Sequence, residues 1–269
     1  DKDNEEFSFV QSHEELTKYV KSNLLSNKRN YLFVDEIQNI KEFEVSLRSF
    51  HTNDECEMVI TGSNAKMLSS ELSTYLSGRC VEYHIQSLDY REFLTFHRLS
   101  DNNQSLHSYL KYGGLPQLHR IGLEETELVD DYLKSVYHTI VLKDVIEREE
   151  IRNVPLLKNL IRFVGDNVGK VFSASSIVKY LKSQQVDSST RVILNYLEYL
   201  CNAYIINRVN RYDIHGKRLF ELNDKFYFED IGIRNSLVAS GRSSSMEKVI
   251  ENVIYLHLVR LGYEVTVGQ

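Results

Sequence analysis

The sequence has few cysteines and prolines and no long apolar run. Its 269 residues include only two prolines and three scattered cysteines, Cys56, Cys80 and Cys201, with no C-x-x-C pair. This excludes a disulfide framework and argues against a cysteine zinc site. No apolar run approaches the roughly 20 residues that cross a bilayer. We therefore expect a cytoplasmic protein with no membrane partner.

Charge is unevenly distributed along the chain. The net charge of −6 excludes the whole chain as a basic nucleic-acid binder. Residues 155–228, however, hold eleven Lys and Arg against six Asp and Glu, a local net charge of +5. Acidic partners such as DNA are therefore expected for this segment alone.

Apolar patterning in the first 85 residues alternates between helix and strand. Ser12 and Glu15 form a capping box ahead of the first helix. Short apolar runs bounded by polar residues indicate buried parallel strands. This order is typical of an α/β layer with a parallel sheet. The predicted elements are helices over 13–25, 43–50 and 65–76 and strands over 31–34, 58–61 and 81–85.

The remainder of the chain is mainly helical. Helices are predicted over 105–112 and 124–148, separated by a turn at Gly113 and Gly114. Residues 155–228 predict three helices, the third capped by Ser188 or Asp187, and then strands over 204–209 and 219–222, with a further strand over 226–228. Three helices followed by a hairpin predict a winged helix-turn-helix. A helix over 246–261 and a strand-like run over 263–267 follow.

The clearest chemical signal is a pair of strands that end in polar residues. The first ends in Asp35 and Glu36, which is the form of a Walker B motif, and the second ends in Thr61-Gly62-Ser63-Asn64. An aspartate at the carboxyl edge of a parallel sheet can hold Mg²⁺, and the next glutamate can polarise an attacking water. The alternative is two buried strands with polar ends and no catalytic role.

The phosphate-binding partner of a Walker B motif is absent from these residues. No G-x-x-x-x-G-K-[ST] segment occurs, and Gly62-Ser63-Asn64-Ala65-Lys66 has too little glycine to replace it. The sequence opens at Asp1 without an initiating Met and stops at Gln269 just after a strand-like run, so we expect both ends to be cut.

These two motifs, together with segments farther along the chain, resemble those of a family of predicted AAA-type ATPases that is widespread in bacteria and archaea. The Asp-Glu-Ile-Gln-Asn run at 35–39 resembles the Walker B motif of that family, and 60–64 resembles its sensor strand. Further matches follow in the same order along nearly the whole chain. They are Leu-Ser-Gly-Arg at 76–79, 88–94, Tyr-x-x-x-Gly-Gly-Leu-Pro at 109–116, 169–173 and 249–256.

The resemblance implies a domain order. It implies a truncated AAA-type P-loop ATPase core at 1–95, a helical connector at 96–154, a winged helix at 155–228 and the start of a restriction-nuclease-like α/β domain at 229–269. The family's phosphate loop would then lie before Asp1. Glu251 matches the helix glutamate of nuclease-like folds, whose partner acids would lie beyond Gln269. A solvated helix glutamate is the simpler interpretation of Glu251.

The expected cofactors are ATP and Mg²⁺. Asp35 is the expected metal ligand and Glu36 the water-activating residue, whereas Ser63 and Asn64 could equally form a plain turn. Arg79 could reach a γ-phosphate or could be a solvated surface residue. The candidate residues are Glu36, Ser63 and Arg79 for catalysis, Asp35, Glu36, Thr61, Ser63 and Asn64 for nucleotide binding, and Asp35 for the metal.

Within 155–228, side chains suited to DNA gather on the third helix and the hairpin. Arg and Asn read base edges, and Ser and Thr suit phosphates. The candidates are Ser189, Thr190, Arg191, Asn195, Arg208 and Arg211. Our main hypothesis is a Mg²⁺-dependent ATPase that acts as a switch through its winged helix. The alternative is a DNA-binding or regulatory winged-helix protein with a degenerate ATPase core.

Overall fold

The computed structural model describes residues 5–63, 79–210, 224–238 and 246–267. The chain forms two compact units, Asp1–Tyr83 and His84–Gln269. Among the residues described, no helix combines the length and the apolar character needed to cross a membrane.

Among the residues described, the first unit contains a small parallel sheet and two helices, as the apolar pattern predicts. β1 and β2 pair in parallel, with Tyr31 opposite Glu57 and Val34 opposite Ile60. Short 3₁₀ turns occupy Glu5–Phe7 and Ile37–Asn39. The regular elements are α1 (His13–Asn23), β1 (Tyr31–Val34), α2 (Phe43–Thr52) and β2 (Glu57–Ile60).

The core of this unit lies on one face of the sheet. Buried side chains of α1, α2 and the turn after β1 pack with the partly buried strand residues Leu32, Val34, Met58 and Ile60. The alternate strand residues face the other way: Tyr31 is 59% exposed, Phe33 69% and Val59 53%. The prediction that these strands are buried is therefore correct for one face and wrong for the other, because side chains alternate along a strand.

The start of α1 is also as predicted. The Ser12 side chain accepts from the Glu15 backbone N–H, and the Glu15 carboxylate accepts from the Ser12 backbone N–H, which completes the capping box. The hydroxyls of Thr17 and Ser46 lie 2.7 Å apart and join α1 to α2. These contacts stabilise the helical layer on which the sheet rests.

In the part of the chain that the structure describes, the second unit is mainly helical with one antiparallel strand pair. A π-helical segment, Ile140–Glu147, follows directly after the helix Thr126–Thr139. The helix predicted over 124–148 therefore changes its hydrogen-bonding pattern near its middle. The elements are α3 (Tyr90–His97), α4 (Asn103–Tyr112), α5 (Leu118–Ile121), α6 (Thr126–Thr139), α7 (Val154–Asp166), α8 (Ala174–Ser183), α9 (Thr190–Asn202), β3 (Ile206–Val209), β4 (Lys225–Phe228), α10 (Ile231–Leu237) and α11 (Met246–Arg260).

One strand prediction needs correction. The strand predicted over 81–85 is wrong: these residues have no regular structure, and Val81 is 76% exposed. An alternating pattern becomes a strand only when a neighbour supplies its hydrogen bonds, and no strand among the residues described pairs with this one. β3 pairs with the last predicted strand, with Ile206 opposite Phe228. The strand predicted over 219–222 and the helix over 65–76 lie outside the described residues.

Helices α7, α8 and α9 precede this strand pair in the predicted order. Phe172, between α7 and α8, forms an antiparallel bridge with Asp224, just before β4. The bridge therefore joins the segment between α7 and α8 to the residue just before β4. One apolar core of this unit includes Tyr137 in α6, Val141 in the π-helical segment, Tyr255 in α11 and Val267. Residues of the predicted connector, winged helix and C-terminal segment thus share one core.

A buried carboxylate joins three segments of this unit. Asp230 caps α10 by accepting the Ile233 N–H at 3.0 Å, and it also accepts the Gly114 N–H at 2.8 Å. Leu88 in turn donates its N–H to the Gly114 carbonyl at 2.8 Å. Burial raises the pKa of the Asp230 carboxyl, and the backbone N–H donors oppose that rise.

The glycines at this junction are required by space. Gly113 has φ +76°, and a Cβ there would lie 2.3 Å from Asp230 Oδ1. A Cβ on Gly114 would lie 2.1 Å from the Leu88 carbonyl oxygen. The Gly-Gly turn that the sequence predicts therefore serves close approach of three backbones.

We expect Asp230→Ala to destabilise the second unit by about 2–4 kcal/mol. The change removes the α10 cap and leaves the Gly114 N–H without its acceptor in the interior. Urea unfolding followed by circular dichroism measures the effect. Asp131→Ala, an exposed carboxylate on α6, is the control and should stay within about 0.5 kcal/mol of wild type. Equal stability of the two variants would contradict the role of Asp230.

Candidate functional site

The candidate site lies at the carboxyl edge of the parallel sheet. Asp35 and Glu36 follow β1, and Thr61 and Ser63 follow β2. Because the two strands are parallel neighbours, their carboxyl ends meet at one edge. The structure therefore brings together four of the residues that the sequence predicts for nucleotide and metal binding.

The backbone turns sharply at this edge. Thr61 donates its N–H to the Val34 carbonyl at 2.9 Å, and its own carbonyl accepts the Ile37 N–H at 3.0 Å. Between these two bonds Glu36 adopts a left-handed conformation, with φ 51° and ψ 50°. That conformation is uncommon for a residue other than glycine. Ile37 is fully buried just after it and anchors the turn.

Side-chain hydrogen bonds connect the two strand ends. Thr61 Oγ1 donates to Asp35 Oδ1 and accepts the Glu36 N–H at 3.2 Å. Ser63 Oγ donates to Glu36 Oε2 at 3.3 Å. Each carboxylate is thus held by a hydroxyl from the neighbouring strand.

A fifth residue, Gln38, belongs to this cluster and is missing from the predicted site. Its Nε2 donates to Glu36 Oε2 and to Ser63 Oγ, the latter at 3.1 Å. The signal available in the sequence was its position two residues after Glu36 in the Asp-Glu-Ile-Gln-Asn run.

The donor set suits Mg²⁺. Asp35 is exposed and Glu36 partly exposed, and together with Thr61 and Ser63 they present carboxylate and hydroxyl oxygens. Mg²⁺ prefers hard oxygen ligands and usually takes one or two carboxylates beside water and phosphate. Within the described ranges, no group of three or more His, Cys, Asp and Glu residues is placed to hold an ion.

Two further predicted residues are not brought to this edge by any described contact. Asn64 lies outside the described residues. Arg79 follows that gap, and its side chain is exposed. Their predicted nucleotide-binding and catalytic roles stay predictions.

The predicted DNA-contacting residues of the third helix share the first two turns of α9. Ser189, rather than Ser188 or Asp187, is the N-cap, and its hydroxyl accepts the Val192 N–H at 3.3 Å. Thr190, Arg191 and Asn195 are exposed. These residues are therefore available to a ligand.

Arg208 is engaged within the protein. Its Nε and Nη2 both lie 2.6 Å from Oδ2 of Asp224, a side chain that is only 9% exposed. The guanidinium therefore neutralises a largely buried carboxylate beside β4, which makes it less available to a phosphate. Arg211 lies outside the described residues.

Glu251 is also held by structural contacts. Its Oε1 accepts from Lys225 Nζ at 2.8 Å and from the Tyr227 hydroxyl at 2.7 Å, which ties α11 to β4. Burial, together with the hydrogen bond to Glu251, raises the pKa of the Tyr227 hydroxyl. Through these contacts Glu251 helps to hold α11 against β4. Its nuclease role stays a prediction.

Comparison with known proteins identifies the class of the first unit. Residues 1–94 match the family described as AAA domain. The fold is similar to that of the Walker-type ATPase of Pyrococcus abyssi, with a TM-score of 0.52, 14% sequence identity, and coverage of 83% of this chain and 66% of that chain. The prediction of an AAA-type P-loop ATPase core is confirmed at this level. The winged-helix and nuclease-like assignments stay predictions.

The larger part of the chain defines its family. Residues 103–244, more than half of the sequence, match the domain of unknown function (DUF8612), and the chain belongs to that family. An "Uncharacterized protein" of Haemophilus influenzae is 32% identical over 271 residues, covering 98% of this chain and 66% of that protein. An "Uncharacterized protein" of Methanocaldococcus jannaschii is 28% identical over 263 residues, covering 93% and 57%. The chain thus spans 66% and 57% of the lengths of these relatives.

We expect Arg208→Ala to destabilise the protein by about 1–3 kcal/mol, because Asp224 then keeps a poorly solvated charge without its partner. Arg191→Ala, which removes an exposed arginine of α9, should change the stability by no more than about 0.5 kcal/mol. Thermal unfolding of both variants measures the difference. A stable Arg208→Ala variant would show that the ion pair contributes nothing to the fold.

Proposed function

We propose that the edge formed by Asp35, Glu36, Thr61 and Ser63 is part of an ATP-hydrolysing site in the full-length protein. The observation that supports this most strongly is the meeting of two carboxylates and two hydroxyls at the carboxyl end of adjacent parallel strands. The AAA match over residues 1–94 supports the same class of activity.

Each residue has a proposed role that follows from its contacts. Thr61 holds Oδ1 of Asp35 and so orients that exposed carboxylate toward a metal ion. Glu36, held by Ser63, orients the attacking water and accepts its proton. Ser63 and Thr61 are the proposed contacts of the terminal phosphate. Bound Mg²⁺ supplies electrostatic stabilisation of the transferring phosphoryl group.

This sequence contains no G-x-x-x-x-G-K-[ST] segment. The proposal therefore requires that the triphosphate be bound by residues outside these 269. Activity must accordingly be measured on the full-length protein.

We expect Glu36→Gln to lower kcat for ATP by at least about 10²-fold while ATP still binds, because the amide cannot accept the proton of the attacking water. Steady-state turnover and nucleotide binding are measured with Mg²⁺. Glu14→Gln, a change of an exposed glutamate on α1 in the same unit, is the matched control and should turn over like wild type. Unchanged turnover in Glu36→Gln would refute the role of Glu36, and an inactive wild type would refute the ATPase proposal itself.

We further propose that residues 155–228 form a winged helix through which the ATPase acts as a switch. The supporting observation is that α7, α8 and α9 lead into β3 and β4, with Phe172 forming an isolated antiparallel bridge with Asp224 just before β4. The exposed side chains at the start of α9 are the proposed contacts to DNA. Arg208 is proposed to act indirectly, by holding Asp224.

We expect Arg191→Ala to weaken binding to duplex DNA and to reduce the slope of log affinity against log salt by about one, as for one lost phosphate contact. Fluorescence anisotropy over a range of salt concentrations measures both effects. Lys158→Ala removes an exposed cation from α7 and should leave the slope unchanged. Binding that is insensitive to salt, or equal in both variants, would count against DNA as the ligand of α9.

A further inference from the structure

Gln38 connects the two strand ends through its side-chain amide. Its Nε2 donates to the Glu36 carboxylate and, at 3.1 Å, to the Ser63 hydroxyl. Ser63 in turn donates to the same oxygen of Glu36, Oε2. Gln38, Ser63 and Glu36 therefore form a closed ring of hydrogen bonds around a single carboxylate oxygen.

The backbone that carries Gln38 is firmly anchored. Ile37 is fully buried and Ile40 is 4% exposed, so apolar side chains hold the turn on either side of Gln38. Within the turn, Asn39 donates its N–H to the Glu36 carbonyl and Ile40 donates its N–H to the Ile37 carbonyl, each at 3.0 Å. The position of the amide is thus set by the core beneath it.

The Gln38 amide donates a hydrogen bond to Glu36, but its own oxygen is left unsatisfied among the residues described. Gln38 Oε1 is buried and has no hydrogen-bond partner among the residues described, which is unfavourable for a polar atom. Turning the amide over would relieve nothing, because Oε1 would then face Oε2 of Glu36, another acceptor. Buried polar atoms without a partner are rare in folded proteins, and each one calls for an explanation.

We propose that Gln38 is a positioning residue that fixes the Glu36 carboxylate for water activation. This inference rests on the proposed ATPase function of the same site. Gln38 touches neither nucleotide nor metal in this proposal, and it acts only by restricting how Glu36 can turn. Loss of its N–H donation therefore lowers kcat and leaves KM for ATP unchanged.

The test compares Gln38→Leu and Gln38→Glu with wild type in the full-length protein, using ATP with Mg²⁺ from pH 5.5 to pH 8.5. We expect Gln38→Leu to lose about 10²-fold in kcat at every pH, because a misplaced catalytic group costs that much. Gln38→Glu should be at least as slow at high pH, where two carboxylates face each other. It should partly recover as the pH falls, because a shared proton restores a donor to Glu36.

Gln11→Leu is the matched control, since Gln11 is an exposed glutamine of the same unit whose amide, among the described residues, bonds only to the Ser8 carbonyl, at 3.4 Å. It should retain wild-type kcat and KM. Wild-type kcat in Gln38→Leu would overturn the inference. So would a rise in KM in place of the fall in kcat, or the absence of acid recovery in Gln38→Glu.

A double-mutant cycle between Glu36→Ala and Gln38→Ala separates this inference from the proposed function. Urea unfolding should show non-additive losses, because the two side chains contact each other; additive losses would overturn the inference whatever the activity. The inference alone fails if wild type turns over ATP, Glu36→Gln abolishes turnover and the Gln38 variants keep the wild-type activity. If wild type is inactive, the proposed function fails, and the positioning role fails with it.

Discussion

Parallel backbone pairing between β1 and β2 is the constraint on which the candidate site depends. It places Asp35 and Glu36 beside Thr61 and Ser63, although the two pairs are separated by α2 in the chain. The sharp turn at Glu36 then closes the edge, with the Thr61 backbone bonded on both sides of it. Because every side chain of the cluster follows one of these two strands, a shift in their register would separate the hydroxyls from the carboxylates.

The second unit depends on a different kind of contact. Leu88, Gly114 and Asp230 meet through backbone and carboxylate hydrogen bonds, and the two glycines leave room for that approach. Gly114 and Asp230 both lie within the residues that match DUF8612. The junction and the packing of α4 against α10 hold these two helices together, and α10 also contributes Ile233 to the apolar core that the three helices and the strand pair share. A ligand of α9 would therefore engage a unit in which these elements are packed together.

Local features of the chain were predictable, and features that need a distant partner were not. The capping box at Ser12 was correctly predicted because its two residues are three positions apart. The strand over 81–85 was wrong because alternation alone supplies no neighbouring strand. Arg208 was predicted to contact DNA, yet in the fold its guanidinium forms an ion pair with Asp224. The contacts of Gln38 were not predictable, because they involve Ser63, which is 25 residues away.

By itself, the sequence determined the α/β character of the first unit, the two strand ends that carry acids and hydroxyls, and the order of three helices before a strand pair. These follow from short-range patterns of apolar and polar residues. Only the tertiary structure decided which sheet face is covered, which arginine of the predicted DNA surface is paired with a carboxylate, and how Gln38 and Ser63 enclose the Glu36 carboxylate. Those outcomes depend on side chains far apart in sequence, and only packing brings them within hydrogen-bonding distance.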